Sequence, residues 1–401
     1  DTKIATGKDF DKNTGKLAHQ DALLLDKKLS EQLVEDLNQS DWVVDNIQEK
    51  PYTQNPYAPF ITSTLQQDGI RKLHTSSKNI MRLAQNLYQS GHITYMRTDS
   101  ITISNQAIDQ IRNIIKKDNP ANLPDKTRTY VSKVKNAQEA HEAIRPAGDF
   151  LHPKDLKSKL EEKEWKLYDL IWKRTIASQM KSAKIVNTVV SINVKNCLFE
   201  ARGKAIEFEG FLSLYNESTD KKNQNETTLP LLKKSESLKL DSISSKQHFT
   251  KPIGRFTEAS LVKELETLGI GRPSTYATIM DKIQLKYVNK TKGAMVPTFA
   301  AYAVVQFLES NFQDLVDLKY TSNMEDELDA ISRGEDKKID YLNNFFFGKN
   351  GTIGLKSKLE QEFDKNNARL ISKIDVNGDE IEIRIGRYGI YGQKEEERFT
   401  I

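Results

Sequence analysis

Apolar residues recur at helical spacing in three stretches of the first half of the chain. In 77–90 they fall every three or four residues, and Gly91 follows as a helix terminator. A second helix is predicted after Ser104, a suitable N-cap, and it ends before the proline-containing segment 119–124. A longer helix is predicted over 161–180, and its expected core anchors are Trp165, Tyr168, Ile171 and Trp172.

Apolar and polar residues alternate in three further stretches, 42–47, 185–194 and 206–215, and alternation predicts strands. Prolines in segment 50–56 predict an exit from the first strand. Because strand-like segments flank the helical region on both sides, the sequence predicts a β-rich domain into which a second domain is inserted.

Two short helices joined by a glycine-rich turn are predicted in the second half. The first covers 257–268, the turn is 269–273, and the second begins with Ser274 as its N-cap and reaches about residue 283. The pair resembles a helix-turn-helix, with an ordinary capped helix pair as the alternative. The start of the second helix suits a phosphate, because backbone N–H groups and the helix dipole favour an anion there. The residues expected to be exposed at that end are Arg272, Ser274, Thr275 and Tyr276.

Composition limits the classes of protein that remain. The chain has 401 residues, of which 29% are charged, and a formal net charge of +4. This length predicts two to four domains, and such mild basicity means that nucleic-acid binding would depend on local clusters such as those in 71–117 and 251–292. The single cysteine, Cys197, excludes an internal disulfide framework and a cysteine-rich zinc site, and favours an intracellular protein.

Tyr95 and Arg97 lie in the segment Gly91-His92-Ile93-Thr94-Tyr95-Met96-Arg97-Thr98-Asp99-Ser100. Free tyrosine has a pKa of about 10, so its phenolate is scarce at neutral pH. An attacking phenolate therefore needs a nearby cation that favours the ionised form. In an extended chain, residues two apart share a face, so both side chains could be presented to one phosphate. The pair suggests covalent phosphate chemistry, with a core tyrosine beside a surface arginine as the alternative.

Segment 136–145 is predicted to be a short helix, capped by Asn136 and halted by Pro146. His141 and Arg145 would share one face of it, and a polar surface helix is the alternative. His-Glu-x-x-Arg differs from the zinc-binding His-Glu-x-x-His, because Arg145 occupies the position of the second ligand. The sequence therefore gives no support to a metalloprotease.

Four motifs occur in a fixed order: Pro59-Phe60-Ile61-Thr62-Ser63-Thr64-Leu65-Gln66-Gln67, the Tyr95 segment, Asn136-Ala137-Gln138-Glu139-Ala140-His141-Glu142-Ala143-Ile144-Arg145-Pro146, and Gly269-Ile270-Gly271-Arg272-Pro273-Ser274-Thr275-Tyr276-Ala277. Together they resemble the type IA DNA topoisomerases of bacteria. The resemblance begins at segment 4–11 and extends over nearly the whole chain. Long ungapped matches of this kind are more specific than a short pattern.

The resemblance implies an α+β multidomain fold. In that family a toroidal core combines a β-rich arch, an inserted tyrosine-bearing domain and a helical domain. The expected ranges are 1–58 with 183–250 for the arch and hinge, 59–182 for the catalytic tyrosine domain, and 251–348 for the helical DNA-binding domain. Segment 349–401 would form a linker and the start of a C-terminal repeat, of the kind that binds single-stranded DNA through aromatic and cationic side chains.

The resemblance also implies an activity, the ATP-independent relaxation of negatively supercoiled DNA. One strand is cut through a 5'-phosphotyrosine intermediate, another strand passes through the gap, and the cut is resealed. Tyr95, Arg97 and His141 would be the catalytic residues, and the expected DNA contacts are Arg97, Arg145, Arg272, Ser274, Thr275 and Tyr276. The expected partners are single-stranded DNA and negatively supercoiled duplex, bound by a monomer that works at the bacterial nucleoid in the cytoplasm and not at a membrane.

Members of the family hold Mg²⁺ with a glutamate and an Asp-x-Asp-x-Glu cluster on an N-terminal Toprim domain, and this sequence contains no such cluster. We therefore expect Mg²⁺ as the cofactor, with its ligands on a Toprim domain that precedes Asp1, and a fragment that is inactive alone. Two alternatives stay open: a noncatalytic single-stranded-DNA-binding protein on the same scaffold, and a topoisomerase specialised for decatenation. A tyrosine recombinase is disfavoured, since its arginine pair and histidine order are not evident.

Overall fold

The computed structural model describes residues 3–18, 21–131, 141–218, 229–349, 353–363 and 367–401. Helices and antiparallel sheets are both present, so the predicted α+β class is confirmed. The chain forms two compact units: the first contains Asp1–Tyr57, Ile114–Lys126 and Ala177–Arg255, and the second contains Ala58–Asn113, Thr127–Ile176 and Phe256–Ile401. Within the described ranges, no helix has both the length and the apolar character needed to cross a bilayer.

The first unit is built on a four-stranded antiparallel sheet with the order β5-β4-β3-β6. Two short parallel strands and one helix precede the sheet. The elements in chain order are β1 (Lys3–Ile4), β2 (Ala22–Leu23), α1 (Lys27–Asn38), β3 (Trp42–Gln54), β4 (Ala183–Val194), β5 (Cys197–Phe208) and β6 (Ser237–Leu238). A small core of Leu37, Trp42 and Val194 lies at one end of this sheet, where the Trp42 ring contacts the ring of Phe199 at 4.8 Å.

The sheet corrects two predictions. The strand predicted at 42–47 is confirmed but continues through Pro51, so the chain leaves the strand only after Gln54, late in the expected exit at 50–56. The described partner β6 covers only Trp42 and Val43, and an open edge of β3 tolerates a residue without an N–H group. The strand predicted at 206–215 is also misplaced, because β5 ends at Phe208 and the chain then turns.

Gly210 explains that turn. Its φ is +53°, and a Cβ at this position would lie 2.5 Å from the carbonyl oxygen of Lys181. Without a side chain the turn closes, and the N–H of Phe211 donates to the same carbonyl at 2.9 Å. A strand that continued through Gly210 would lose this close contact with the Lys181 carbonyl.

The second unit begins with helices. They are α2 (Thr62–Leu73), α3 (Ser77–Gln89), α4 (Asn105–Asp118), α5 (Pro153–Leu156) and α6 (Glu162–Ser178). Of these, α4 from Ile114 onward and the last two residues of α6 are assigned to the first unit. The helices predicted at 77–90, after Ser104 and at 161–180 are thereby confirmed. Leu83, Ala84 and Leu87 of α3 are buried as their spacing predicts, and so are Tyr168 and Trp172 of α6.

The remainder of the second unit consists of helices and strands. The elements are α7 (Glu258–Leu268), α8 (Tyr276–Lys286), β7 (Val288–Thr291), β8 (Ala294–Pro297), α9 (Phe299–Asn311), α10 (Gln313–Val316), α11 (Leu318–Ser332), α12 (Lys338–Phe347), α13 (Leu355–Leu359), β9 (Leu370–Val376), β10 (Asp379–Gly386), β11 (Gly389–Lys394) and β12 (Glu397–Thr400). The last four strands form an antiparallel sheet. The pairing of these strands agrees with the alternation of apolar and polar residues in the C-terminal sequence.

Two helix contacts bring the first helices of this unit against the predicted helix pair, since α2 packs on α7 and α3 packs on α8. Polar groups reinforce both contacts. The Ser63 hydroxyl donates to the Glu266 carboxylate at 2.6 Å, the Ser77 N–H donates to Glu258 at 2.7 Å, and Lys78 pairs with Asp281 at 2.9 Å. These helices form the frame that holds the segment carrying Tyr95.

Candidate active site

The Tyr95 segment begins where α3 ends. Gly91 has a φ of +75°, a conformation that costs glycine little and side-chain-bearing residues more. The N–H of Gly91 donates to the Tyr88 carbonyl at 2.9 Å, and the N–H of His92 donates to the Leu87 carbonyl at 2.8 Å. These bonds satisfy the last carbonyls of the helix and turn the chain out of its axis.

Side chains alternate between interior and solvent along this segment. Tyr95 is 38% exposed and Arg97 is also exposed, whereas Met96 and Thr98 are buried. The segment is irregular beyond an isolated bridge between Ile93 and Pro146 and forms no strand. Burial nevertheless alternates along it, so the side chains of Tyr95 and Arg97 both reach solvent.

Two aromatic rings lie against the ring of Tyr95. The Tyr88 ring meets it edge-on with a centroid distance of 5.2 Å, and the His141 ring lies at 5.9 Å in a tilted arrangement. Such contacts restrict the orientation of the ring, while the side chain stays partly exposed. The structure thus brings His141 to Tyr95. Tyr88 was not among the sequence candidates, although its place at the rim of the apolar face of α3 was a usable signal.

The helix predicted at 136–145 is wrong over its described part, residues 141–145, which are extended; residues 136–140 lie outside the described residues. Backbone groups here bond to distant segments. The N–H of Ala143 donates to the Thr102 carbonyl and that of Ile144 donates to the Phe60 carbonyl, each at 2.8 Å. Pro146 favours this outcome, because a residue before proline avoids the helical conformation.

Thr94 fixes this extended segment beside the nucleophile candidate. Its N–H donates to the Arg145 carbonyl at 2.9 Å, and its hydroxyl donates to the Ala143 carbonyl at 2.7 Å. The same hydroxyl oxygen accepts from the Arg145 N–H at 3.0 Å. Thr94, one residue before Tyr95, is therefore tied to Ala143 and Arg145, which lie two and four residues after His141.

Thr62 holds the segment from the opposite side. Its hydroxyl oxygen lies 2.8 Å from the Met96 carbonyl and accepts from the Thr98 N–H at 2.9 Å. The Thr62 N–H also donates to the Thr98 carbonyl at 2.9 Å. Sequence reasoning used the motif around Thr62 only for the family resemblance, because nothing local shows that a threonine will bond to residues more than thirty positions away.

Arg145 is close to this site, but its guanidinium is engaged by its neighbours. It pairs with the Glu142 carboxylate, donates to the Pro146 carbonyl at 2.8 Å and lies over the Phe150 ring. Burial acts to raise the pKa of the Glu142 carboxyl, but hydrogen bonds from Ser104 and the charge of Arg145 outweigh burial and hold that pKa below its ordinary value. Glu142 is therefore a carboxylate that fixes Arg145.

The predicted helix pair is present as α7 and α8, with two differences at the start of α8. The helix begins at Tyr276, and Thr275 occupies the N-cap position, so the prediction of Ser274 as the cap is wrong. A turn delays the helix, because the Thr275 hydroxyl accepts from the Arg272 N–H at 2.8 Å. Ser274 and Thr275 are exposed as expected.

Tyr276 is only 6% exposed, so its predicted exposure is wrong. It packs with Val262, Leu265, Met280 and Met295, and burial raises the pKa of its phenol. The position follows from helical spacing, since residues 276 and 280 lie one turn apart on the face that contacts α7. The tyrosine acts here as a core residue of the helix pair.

Arg272 lies at the start of α8, as expected, but it faces acidic groups. Its guanidinium lies 3.0 Å from Asp329 and 3.6 Å from Glu325, both on α11, and it donates to the Gly271 carbonyl at 3.2 Å. Two carboxylates near one guanidinium reduce the local positive potential. The side chain is still partly exposed.

In chemical terms, the site offers a partly exposed tyrosine, an exposed guanidinium two residues along the chain and an imidazole ring beside the tyrosine ring. Such a set can attack a phosphodiester and balance the charge on its oxygens. Metal ligands are a different matter. Within the ranges that the structure describes, no three His, Cys, Asp or Glu side chains are grouped to hold an ion, and Glu142 is already engaged by Ser104 and Arg145. The residues around Tyr95 therefore do not fit a resident metal.

Comparison with known proteins finds similarity over almost the whole length of the chain. A family model described as DNA topoisomerase matches residues 3–343. The DNA topoisomerase 1 of Mycolicibacterium smegmatis is 43% identical over 420 residues, which cover 97% of this chain and 44% of that protein. The DNA topoisomerase 1 of Synechococcus elongatus is 43% identical over 401 residues, with coverages of 98% and 45%. The chain therefore spans a little under half the length of these relatives.

The fold is similar to that of a solved structure, the full-length topoisomerase I of Thermotoga maritima. The TM-score is 0.75 at 30% sequence identity, and the match covers 96% of this chain and 63% of that one. The similarity therefore includes both compact units of the chain.

Proposed function

Because the chain belongs to the bacterial type IA DNA topoisomerase family, we propose that the protein carrying it relaxes negatively supercoiled DNA without ATP. Relaxation proceeds by cutting one strand, passing another strand through the gap and resealing the cut. The observation that carries the proposal is the exposure of Tyr95 beside the His141 ring, with an exposed Arg97 two residues along the chain.

Cleavage is a transesterification at Tyr95. The phenol oxygen attacks the phosphorus of a DNA phosphodiester, a tyrosyl ester to the 5' phosphate forms, and the bond from phosphorus to the 3' oxygen breaks. The phenol loses its proton, and the departing 3' oxygen gains one. Religation reverses each change. One ester replaces another in both directions, so no nucleotide has to be hydrolysed.

Arg97 stabilises the negative charge that grows on the phosphoryl oxygens during the attack, a role that suits an exposed guanidinium two residues along the chain from Tyr95. His141 lies against the Tyr95 ring, where an imidazole can orient the phenol or exchange its proton with solvent. Arg145 supports the site through the extended segment that Thr94 fixes. Together, these assignments give each side chain around Tyr95 one role in the same reaction.

DNA binding is shared between this site and the start of α8. Ser274 and Thr275 are exposed there, and Arg272 adds a partly exposed guanidinium. We include Tyr276 as a residue that supports this end from inside the helix pair, because it is buried. A strand backbone that crosses the end of α8 would meet hydroxyl groups and a cation.

The proposal includes Mg²⁺ with ligands on a Toprim domain outside this sequence, as the family resemblance implies, and no step above is assigned to the ion. It also includes a monomer that acts in the bacterial cytoplasm at the nucleoid, on single-stranded and negatively supercoiled DNA.

The test is relaxation of a supercoiled plasmid by the natural protein supplied with Mg²⁺. We expect Tyr95→Phe to abolish relaxation, because it removes one oxygen and keeps the ring contacts. Tyr52→Phe is the matched control, since Tyr52 is similarly exposed (39%) but lies on β3. Relaxation that survives in Tyr95→Phe would remove the proposed nucleophile. A noncatalytic DNA-binding protein would bind the plasmid and leave its supercoiling unchanged in every variant.

A further inference from the structure

We propose that Thr62 is a positioning residue for cleavage, whose hydroxyl group holds the main chain on both sides of Arg97 and thereby sets where the guanidinium stands relative to Tyr95. This inference rests on the proposed function. It assigns a role to a residue that does not itself touch DNA.

Thr62 bonds to both peptides that flank Arg97, through the Met96 carbonyl and the Thr98 N–H, and also to the Thr98 carbonyl. The hydroxyl oxygen reaches the Met96 carbonyl at 2.8 Å and the Thr98 carbonyl at 3.0 Å, and it accepts from the Thr98 N–H at 2.9 Å. The single hydroxyl proton serves the two carbonyls, and the Thr62 N–H donates separately to the Thr98 carbonyl at 2.9 Å. Thr62 is fully buried, so no water competes for these groups.

Helix capping does not account for this hydroxyl. At the start of α2 the residue that performs the capping is Thr64, whose hydroxyl accepts from the Ile61 N–H at 3.0 Å and lies 3.1 Å from the Ile61 carbonyl. A threonine near a helix start normally bonds to its own helix. Thr62 instead bonds to residues 34 and 36 positions away.

The position of the Arg97 side chain depends on this support of its main chain. Its side chain is exposed, and within the described part of the chain no hydrogen bond or ion pair holds the guanidinium. Its position is therefore set by its own main chain, which Thr62 fixes from the first turn of α2. That helix is anchored in turn, since it packs on α7 and Ser63 donates to Glu266.

The experiment uses the natural protein, Mg²⁺ and an end-labelled single-stranded oligonucleotide, and it measures the rate and extent of covalent adduct formation. Thr62→Val keeps the shape and removes the hydroxyl, and Thr62→Ser keeps the hydroxyl and removes a methyl group. We expect kcat for cleavage to fall about 10²-fold in Thr62→Val with KM unchanged, which is the size of effect that a displacement of about 1 Å produces. Thr62→Ser should restore most of the rate although it packs less well.

Thr64→Val is the matched control, because it deletes a hydroxyl two residues away that caps the same helix. We expect it to lower thermal stability and to leave kcat within about threefold of the wild type, since it leaves the catalytic segment untouched. Equal losses of kcat in Thr62→Val and Thr64→Val would mean that the helix, not the hydroxyl of Thr62, is what matters, and would overturn the proposal.

A double-mutant cycle with Arg97→Ala identifies the residue through which Thr62 acts. If Thr62 works by placing Arg97, then Thr62→Val should reduce kcat further by less than about threefold in the Arg97→Ala background. A full additional 10²-fold loss would overturn the proposal. Thr62→Ala replaces the valine variant if that protein does not fold, and failure of both to fold would also overturn it. Wild-type activity and an inactive Tyr95→Phe in the same assay keep the proposed function separate from this outcome.

Discussion

Glu258 anchors the start of the helix that leads to Tyr95, and its removal should destabilise the second unit measurably. The carboxylate is 3% exposed and accepts from the Ser77 N–H at 2.7 Å, at the first residue of α3. It also pairs with Lys290 on β7. Glu258→Ala would leave the start of α3 without this acceptor and Lys290 without its partner.

The magnitude follows from how buried each partner is. A hydrogen bond from a buried N–H to a charged acceptor contributes about 1.5–3 kcal/mol. Lys290 is 39% exposed, so water screens its charge and its share is about 0–1 kcal/mol. Glu258→Ala should therefore lower the free energy of unfolding by about 2–4 kcal/mol, and Glu258→Gln by about 1–2 kcal/mol because an amide oxygen can still accept from Ser77.

Urea denaturation followed by circular dichroism measures these values, and Lys290→Ala separates the two partners. The burial argument predicts a loss below about 1 kcal/mol for Lys290→Ala. A Glu258→Ala loss below about 1 kcal/mol, or a Lys290→Ala loss as large as that of Glu258→Ala, would refute the reasoning.

Two further predictions concern Glu266 and Arg272. Burial raises the pKa of the Glu266 carboxyl above its ordinary value of 4.5, so between that value and the raised pKa the unfolded chain ionises first and stability falls as pH rises. Glu266→Gln should remove this fall while still accepting from Ser63, and parallel urea midpoints for variant and wild type between about pH 5 and 7 would contradict it. For Arg272→Ala we expect weaker binding of a single-stranded oligonucleotide, with the slope of log affinity against log salt reduced by about 0.7. An unchanged slope would leave Arg272 with a structural role through its ion pairs with Asp329 and Glu325.

Helices were the most predictable part of the fold, because their signals are local. The apolar spacing in 77–90 predicted α3 to within one residue at its end, and the helix predicted at 257–268 is present as α7, with Thr257 and Gly269 as its caps. Capping and periodicity depend on neighbours three or four positions away, so a single sequence contains them.

Errors arose where distant partners decide the backbone conformation. Residues 141–145 carry a helical composition, but their N–H groups bond to Thr102 and Phe60 and the chain is extended. The strand β3 continues through Pro51 because its edge is open there in the described sheet. Neither partner lies within a sequence window around the residue that it controls.

The sequence offered candidates for the reacting groups but not for the residues that support them. Tyr95, Arg97 and His141 are unusual enough in type and motif to be chosen from the sequence. Thr62, Thr94 and Tyr88 are common residues whose importance lies in bonds and ring contacts across 7 to 51 positions. The roles of such residues can be recognised only in the folded structure, where the groups that they contact lie beside them.

The most direct test of the central claim is to map the covalent adduct. The natural protein would be incubated with Mg²⁺ and a single-stranded oligonucleotide, denatured during turnover, and digested with nuclease and protease for mass spectrometry. The account predicts a nucleotide 5'-phosphate ester on the peptide that contains Tyr95, absent from Tyr95→Phe. An adduct on any other residue, or cleaved DNA with no adduct at all, would contradict it.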